Sequence, residues 1–175
     1  MTDAPPRAGV QRIIVGWQSH ASVDFSLEAA TLLASATKAE VVGLFVENDE
    51  LIELAGVPFV RLLSPGLGRA QPVTRESIAA AYARGAAECR RLLSSHAEKA
   101  QVKWSFSSER GELPAKIRSY ATAEDFVVLT GDVHGFGAKQ LMNELRSSPT
   151  HIKGILIAGL RTLASRTGLS CYWRR

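Results

Sequence analysis

The chain has 175 residues, 46% of them apolar and 22% charged, and a formal net charge of +4. This length suits one domain and this balance suits a packed core, which excludes fibrous and wholly disordered classes. The charge is too modest to mark a nucleic-acid binder, although Lys153, Arg161, Arg166, Arg174 and Arg175 crowd toward the end. Cys89 and Cys171 are the two cysteines. By themselves they build neither a metal cluster nor a disulfide framework, and reduced thiols suit the cytoplasm. The start is polar, without the apolar stretch of a secretory signal, and apolar runs such as residues 154 to 160 are too short to cross a bilayer. A cytoplasmic protein with no membrane partner is expected.

Residues 1 to 10 read as a Pro-containing leader. Arg12-Ile-Ile-Val-Gly is a β-branched run of the kind that buried parallel strands show. Residues 22 to 37 put Val23, Leu27, Ala30, Leu33 and Ala34 on one helical face, with Ser22 as N-cap. Glu40-Val-Val-Gly-Leu-Phe-Val-Glu is a second buried strand. Strand, helix and strand with short links make a βαβ unit, and so a parallel sheet. A long connection follows, from Asn48 to about Val73, with a short helix near residues 49 to 55 and a turn-rich second half. Leu51, Leu54, Val57, Phe59 and Leu62 need cover, which predicts that this connection lies against the sheet edge or over the site.

Thr74 caps a long helix with Ile78, Tyr82, Ala86, Cys89 and Leu93 on its buried stripe, so Cys89 is expected to be a buried, inert thiol. Residues 102 to 107 alternate apolar and polar, as a half-exposed edge strand does. Leu113, Ile117, Tyr120 and Ala121 mark another helix, with Pro114 in its first turn. Phe126-Val-Val-Leu-Thr-Gly is the fourth strand. A glycine turn through Gly131, Asp132, His134, Gly135 and Gly137 leads to a helical stretch around Leu141, Met142 and Leu145. Ser147-Ser-Pro-Thr breaks it, and Ile152-Lys-Gly-Ile-Leu-Ile-Ala is the last strand. The alternation predicts a doubly wound α/β fold: an open five-stranded parallel sheet, order 3-2-1-4-5, with helices on both faces. One domain spans residues 11 to 160, and residues 161 to 175 form a basic tail.

In such a sheet ligands bind beyond the carboxyl ends of the strands, where the strand order reverses. Gly16, Trp17 and Gln18 after the first strand, Val46 at the second, and Thr130 to Gly137 after the fourth are expected to meet there. Glycines let backbone approach an anion, and the next helix aims its free N–H groups at it. Such turns also arise for geometry alone. His20, His96, His134 and His151 lack metal-ligand spacing, and no Walker lysine follows the glycines. Ser147 and Ser148 lack a nucleophile elbow. No catalytic residue and no metal ligand is nominated.

Four stretches together resemble one family. Ile13-Ile-Val-Gly-Trp-Gln and Val42-Gly-Leu-Phe-Val-Glu are similar to the first two strands of the universal stress proteins. Gly111-Glu-Leu-Pro-Ala-Lys-Ile-Arg-Ser-Tyr-Ala and Asp125-Phe-Val-Val-Leu-Thr-Gly are similar to their third helix and fourth strand. The resemblance covers residues 10 to 160. It implies the adenine-nucleotide alpha-hydrolase-like fold, frequent homodimers and, in one branch, ATP as the bound cofactor. That branch has an acidic residue where this chain has Gln18. Its phosphate motif runs glycine, two residues, glycine, nine residues, glycine and serine or threonine. Here Gly135 or Gly137 matches the front glycines loosely, Gly131 sits one residue too far from Gly135, and Ser147-Ser148 stands where the closing glycine belongs.

The sequence therefore predicts a universal stress protein-like regulatory or binding module, with weak or absent adenine-nucleotide binding. The alternatives are an ATP-binding member with slow hydrolysis in the same crevice, and an interaction protein whose own loop fills it. The apolar strand near Ile155 lies at a sheet edge, which predicts a homodimer through that strand.

Overall fold

Strands form where β-branched and aromatic residues run together, and helices form where apolar residues recur every three or four positions. The computed structural model describes residues 9–19, 23–55, 57, 61–63, 70–72, 74–132, 143, 152–160 and 169–173. Its elements are β1 (Arg12–Trp17), α1 (Val23–Thr37), β2 (Glu40–Glu47), α2 (Asp49–Leu54), β3 (Arg61–Leu63), β4 (Ala70–Pro72), α3 (Arg75–Ala100), β5 (Trp104–Arg110), α4 (Leu113–Tyr120), β6 (Asp125–Asp132), β7 (Gly154–Leu160) and β8 (Leu169–Trp173). The main sheet has the order β5-β2-β1-β6-β7-β8. Its first five strands pair in parallel, which is the expected 3-2-1-4-5 arrangement.

Side chains alternate across each strand, so the sheet carries a core on either face. Ile13, Val15 and Trp17 of β1, Val41 and Phe45 of β2, and Phe126 and Val128 of β6 pack with α1 and α3. Ile14, Val42, Leu44, Val46, Val127 and Leu129 face the other way and meet Leu113 and Ile117 of α4. Each large side chain buried in these layers contributes about 1.5–3 kcal/mol. Gly43 makes the first layer possible. A Cβ there would stand 2.6 Å from Leu93 Cδ2 and 2.9 Å from Trp17 Cζ3, so the missing side chain is the slot that the indole fills. The indole Nε1–H donates to Ser26 Oγ at 3.0 Å, and that hydroxyl donates to the Val23 carbonyl at 2.8 Å. Both polar groups are buried and both are satisfied.

At the amino end of the sheet Arg12 grips Asp125, with Nε on Oδ1 at 3.0 Å and Nη2 on Oδ2 at 2.6 Å. Thr122 adds its backbone N–H and its hydroxyl to Oδ2, at 2.7 and 3.0 Å. This fork ties the start of β1 to the loop that enters β6.

Two elements were not foreseen. β3 and β4 form an antiparallel hairpin of their own within the long connection. The stretch expected to be a basic tail supplies β8, antiparallel to β7 from Ala158↔Leu169 to Gly154↔Trp173. Leu169-Ser-Cys-Tyr-Trp is rich in residues that suit a pleated surface. An apolar edge strand leaves a row of backbone groups for it to pair. The outer edge of β7, expected to be open to a second chain near Ile155, is thus filled by this chain's own end.

Candidate functional site

The strand order reverses between β1 and β6, because the chain steps from β1 to β2 on one side and β6 lies on the other. The ladders show where the two strands part. Pairing of β1 with β6 ends at Gly16↔Leu129, whereas β1 pairs with β2 through Trp17↔Phe45 and β6 pairs with β7 through Asp132↔Leu160. Thr130, Gly131 and Asp132 therefore run on beside β7 with no partner on β1. Beyond Gly16↔Leu129 the ladder between β1 and β6 supplies no further pairing at the carboxyl end of the sheet. Unpaired backbone groups at such a point are what a polar ligand can satisfy.

The predicted site residues divide sharply at this split. Gly16, Trp17, Gln18, Thr130 and Gly131 come together at it, and Val46 lies one strand away on β2. Only Gln18 of the first three is exposed. Trp17 is 1% exposed and turned into the α1–α3 layer, and Val46 is fully buried in the α4 layer. Gly16 answers to helix packing. A Cβ at that position would lie 2.9 Å from Leu113 Cδ1 and 3.1 Å from Ile117 Cδ1, so its glycine lets α4 close on the sheet. Gly135, Gly137, Ser147 and Ser148 lie outside the described residues, as do His20, Ser22, Phe59, His134, His151 and the helical stretch around Leu141, Met142 and Leu145.

The neighbouring strand ends carry groups that the sequence reading did not assign to the site. Tyr82 of α3 reaches the end of β2, where its hydroxyl accepts the Asn48 backbone N–H at 3.2 Å and its ring meets Phe45 edge-on at 6.2 Å. Burial pushes its phenol up, with Glu47 and Asp49 acting the same way against the Asn48 hydrogen bond, so it stays protonated. Asn48 then caps α2 through Oδ1, which accepts from the N–H groups of Glu50 and Leu51. On α2 and just beyond, Leu51, Leu54 and Val57 remain about half exposed, at 50%, 49% and 47%. These are three of the five apolar residues expected to need cover; the side chains of the other two, Phe59 and Leu62, lie outside the described residues. Arg110 Nε donates to Glu47 Oε2 at 3.1 Å across the last pair of β2 and β5. Gly111 follows at φ +133°, a conformation that a side chain would strain.

Among the described residues no group of three or more His, Cys, Asp or Glu side chains is placed to hold a metal ion. Cys89 is buried on α3 and its thiol is pushed up to about 12, first by burial and then by Glu88. A thiol in that state is no nucleophile. The described part of the site thus offers backbone donors and acceptors and one neutral amide.

No protein-family model matches the sequence, and no curated protein does. Solved structures do. The universal stress protein UspA from Lactobacillus plantarum superposes with a TM-score of 0.57 at 18% identity, covering 87% of this chain and 99% of that one. The hypothetical protein MJ0577 superposes at 0.60 with 12% identity, covering 88% and 99%. This chain has the universal stress protein fold. A universal stress protein solved in complex with cAMP superposes at 0.51 with 12% identity, covering 86% and 98%. In each case nearly the whole of the relative is matched, so the similarity is one of whole folds rather than of a shared fragment.

Proposed function

We propose that this chain is a universal stress protein-like regulatory or binding module of the cytoplasm that holds adenine nucleotides weakly or not at all. One observation carries the reading. At the point where β1 and β6 part, the exposed side chain from the end of β1 is the neutral Gln18, while Trp17 and Val46 are committed to the two cores. A neutral amide in place of a carboxylate loses a charge-assisted hydrogen bond of about 1.5–3 kcal/mol, or roughly tenfold to a hundredfold in affinity. Ser147-Ser148 in place of the closing glycine of the resembled motif adds a second deficit, because a side chain at that motif position hinders close approach of backbone to a phosphate. The relative crystallised with cAMP supports an adenine nucleotide as the ligand class against which to measure the loss. No helix among the described residues is long and apolar enough to cross a membrane, in keeping with a cytoplasmic role.

Calorimetry with ATP and magnesium tests this directly. The expected dissociation constant is millimolar or too weak to measure, and Gln18→Asp should tighten it by about tenfold if a charge-assisted contact is what is missing. A low-micromolar constant in the natural chain overturns the reading.

A further inference from the structure

From Ala39 to Val60 the chain holds five carboxylates, Glu40, Glu47, Asp49, Glu50 and Glu53, and no lysine or arginine, although its net charge as a whole is +4. Asp49, Glu50 and Glu53 fall on α2. A charged helix of this kind ordinarily turns its apolar residues inward and keeps only polar ones in water. α2 does not. None of its residues is buried. Leu51, Leu54 and Val57 are 50%, 49% and 47% exposed, and with Leu32 of α1 they are the large apolar side chains that stand exposed among the described residues. Apolar surface gathered in one place and rimmed by charge marks an interaction site, whereas a single exposed leucine such as Leu32 does not.

The three side chains form a ridge, because residues three apart lie on one side of a helix. The ridge is fixed before anything meets it. Asn48 Oδ1 accepts the N–H groups of Glu50 and Leu51 at 2.8 and 3.3 Å, and the Asn48 N–H is itself held by the Tyr82 hydroxyl of α3 at 3.2 Å. At the other end the Ala55 N–H donates to the Leu51 carbonyl and the Val57 N–H to the Leu54 carbonyl, each at 3.1 Å. The second bond carries Val57 round onto the end of the helix. A surface held this way loses little freedom when something binds it. Its charge is also unspent. Glu47 pairs with Arg110, but among the described residues no salt bridge takes up Asp49, Glu50 or Glu53.

We propose that the α2 ridge is a docking surface for another protein, and that the segment it takes is a basic amphipathic helix. The apolar face of such a helix covers Leu51, Leu54 and Val57, and the lysines or arginines beside that face reach Asp49, Glu50 and Glu53. Charge complementarity selects this occupant. A second copy of α2 would set carboxylates against carboxylates, and the anionic lipids of a membrane surface would be repelled by the same three groups. The surface follows β2, one strand from the point where β1 and β6 part, and it requires no nucleotide in that crevice.

The probe is a labelled synthetic helix of leucine and lysine with its leucines along one face, titrated with the full chain and followed by fluorescence anisotropy. It should bind in the micromolar range and more weakly as salt is added, and a version with glutamate for lysine should not bind. Leu51→Ser together with Leu54→Ser should weaken binding by at least about tenfold, and Glu50→Lys together with Glu53→Lys should do the same. Leu32→Ser and Glu28→Lys, exposed positions on α1, should leave it unchanged. In the natural chain the probe should slow hydrogen exchange over residues 49–57, a readout that needs no variant to fold. Absence of binding overturns the proposal. So does binding that the α1 changes weaken as much as the α2 changes, or that the charge reversals abolish while the leucine changes do not, since the field would then act without a docking surface. Binding to neutral phosphatidylcholine vesicles that is lost with the two leucines overturns it as well, by giving the ridge to a lipid surface.

Discussion

Asp125 is fully buried, yet its carboxyl is held below the usual range. Burial by itself pushes it up. The Arg12 fork and the two donors of Thr122 outweigh that, and the net shift is downward. A carboxyl lowered in the folded state contributes stability above its unfolded value of about 3.9, and that contribution is lost as pH falls through the folded value. Melting temperature should therefore hold from neutral pH to about 4 and drop below it. Asp125→Asn should flatten the acid slope while lowering stability at pH 7. Breaking a buried pair costs about 3–5 kcal/mol, and the lower figure applies because Arg12 keeps a third of its side chain in water. At roughly 2–4 °C per kcal/mol that is a fall of about 6–12 °C. An unchanged melting temperature would show that the Arg12–Asp125 pair contributes little.

Among the elements α3 is the most uneven. Its 26 residues span about 39 Å, more than any strand it covers. Its buried residues, Gly85, Cys89, Leu93 and Ala97, all lie in its later part. The first turns, from Arg75 to Arg84, hold Ile78 and Tyr82 half-buried and leave the rest in water. They depend on the cap, where Thr74 Oγ1 accepts the Ser77 N–H and Ser77 Oγ accepts the Thr74 N–H, each at 3.1 Å. Thr74→Ala removes about 1 kcal/mol from that end. Hydrogen exchange should speed up over residues 75–84 and stay constant over 85–97, because the latter opens only with the sheet. Equal acceleration along the whole helix would mean that the cap supports the fold and not just the overhang.

On the scale of the whole molecule, the β7 edge of the main sheet is occupied from within the chain. β8 holds the β7 edge. A chain ending at residue 160 presents Ile155 and Leu156 on an open strand and should form larger species in light scattering than the full chain does at equal concentration. Identical profiles would show that β8 shields nothing. An edge dimer through Ile155, as the sequence proposes, needs β8 to leave its place.

Local pattern determined a great deal. The β-branched runs, the helical stripe of α1, the capped start of α3 and the alternation at β5 all declare themselves within ten or so residues. Their order then leaves one sheet topology, because right-handed crossovers permit no other. The inert Cys89 was legible for the same reason, lying on its helix stripe. The point where the strand order reverses was legible, but not which side chains turn into the cores there. Trp17 and Val46 sit at strand ends where ligands bind, and period-two alternation alone cannot tell that Gly43 opens a slot for the indole or that α4 covers Val46. Gly16 looks like a ligand glycine until Leu113 is seen against it. The hairpin of β3 and β4, the β8 strand and the Arg12–Asp125 fork join residues whose partners lie far off in the chain or in turn-rich context. Pairings of that kind carry little local signal, and their energy comes from a surface that exists only once the sheet is built.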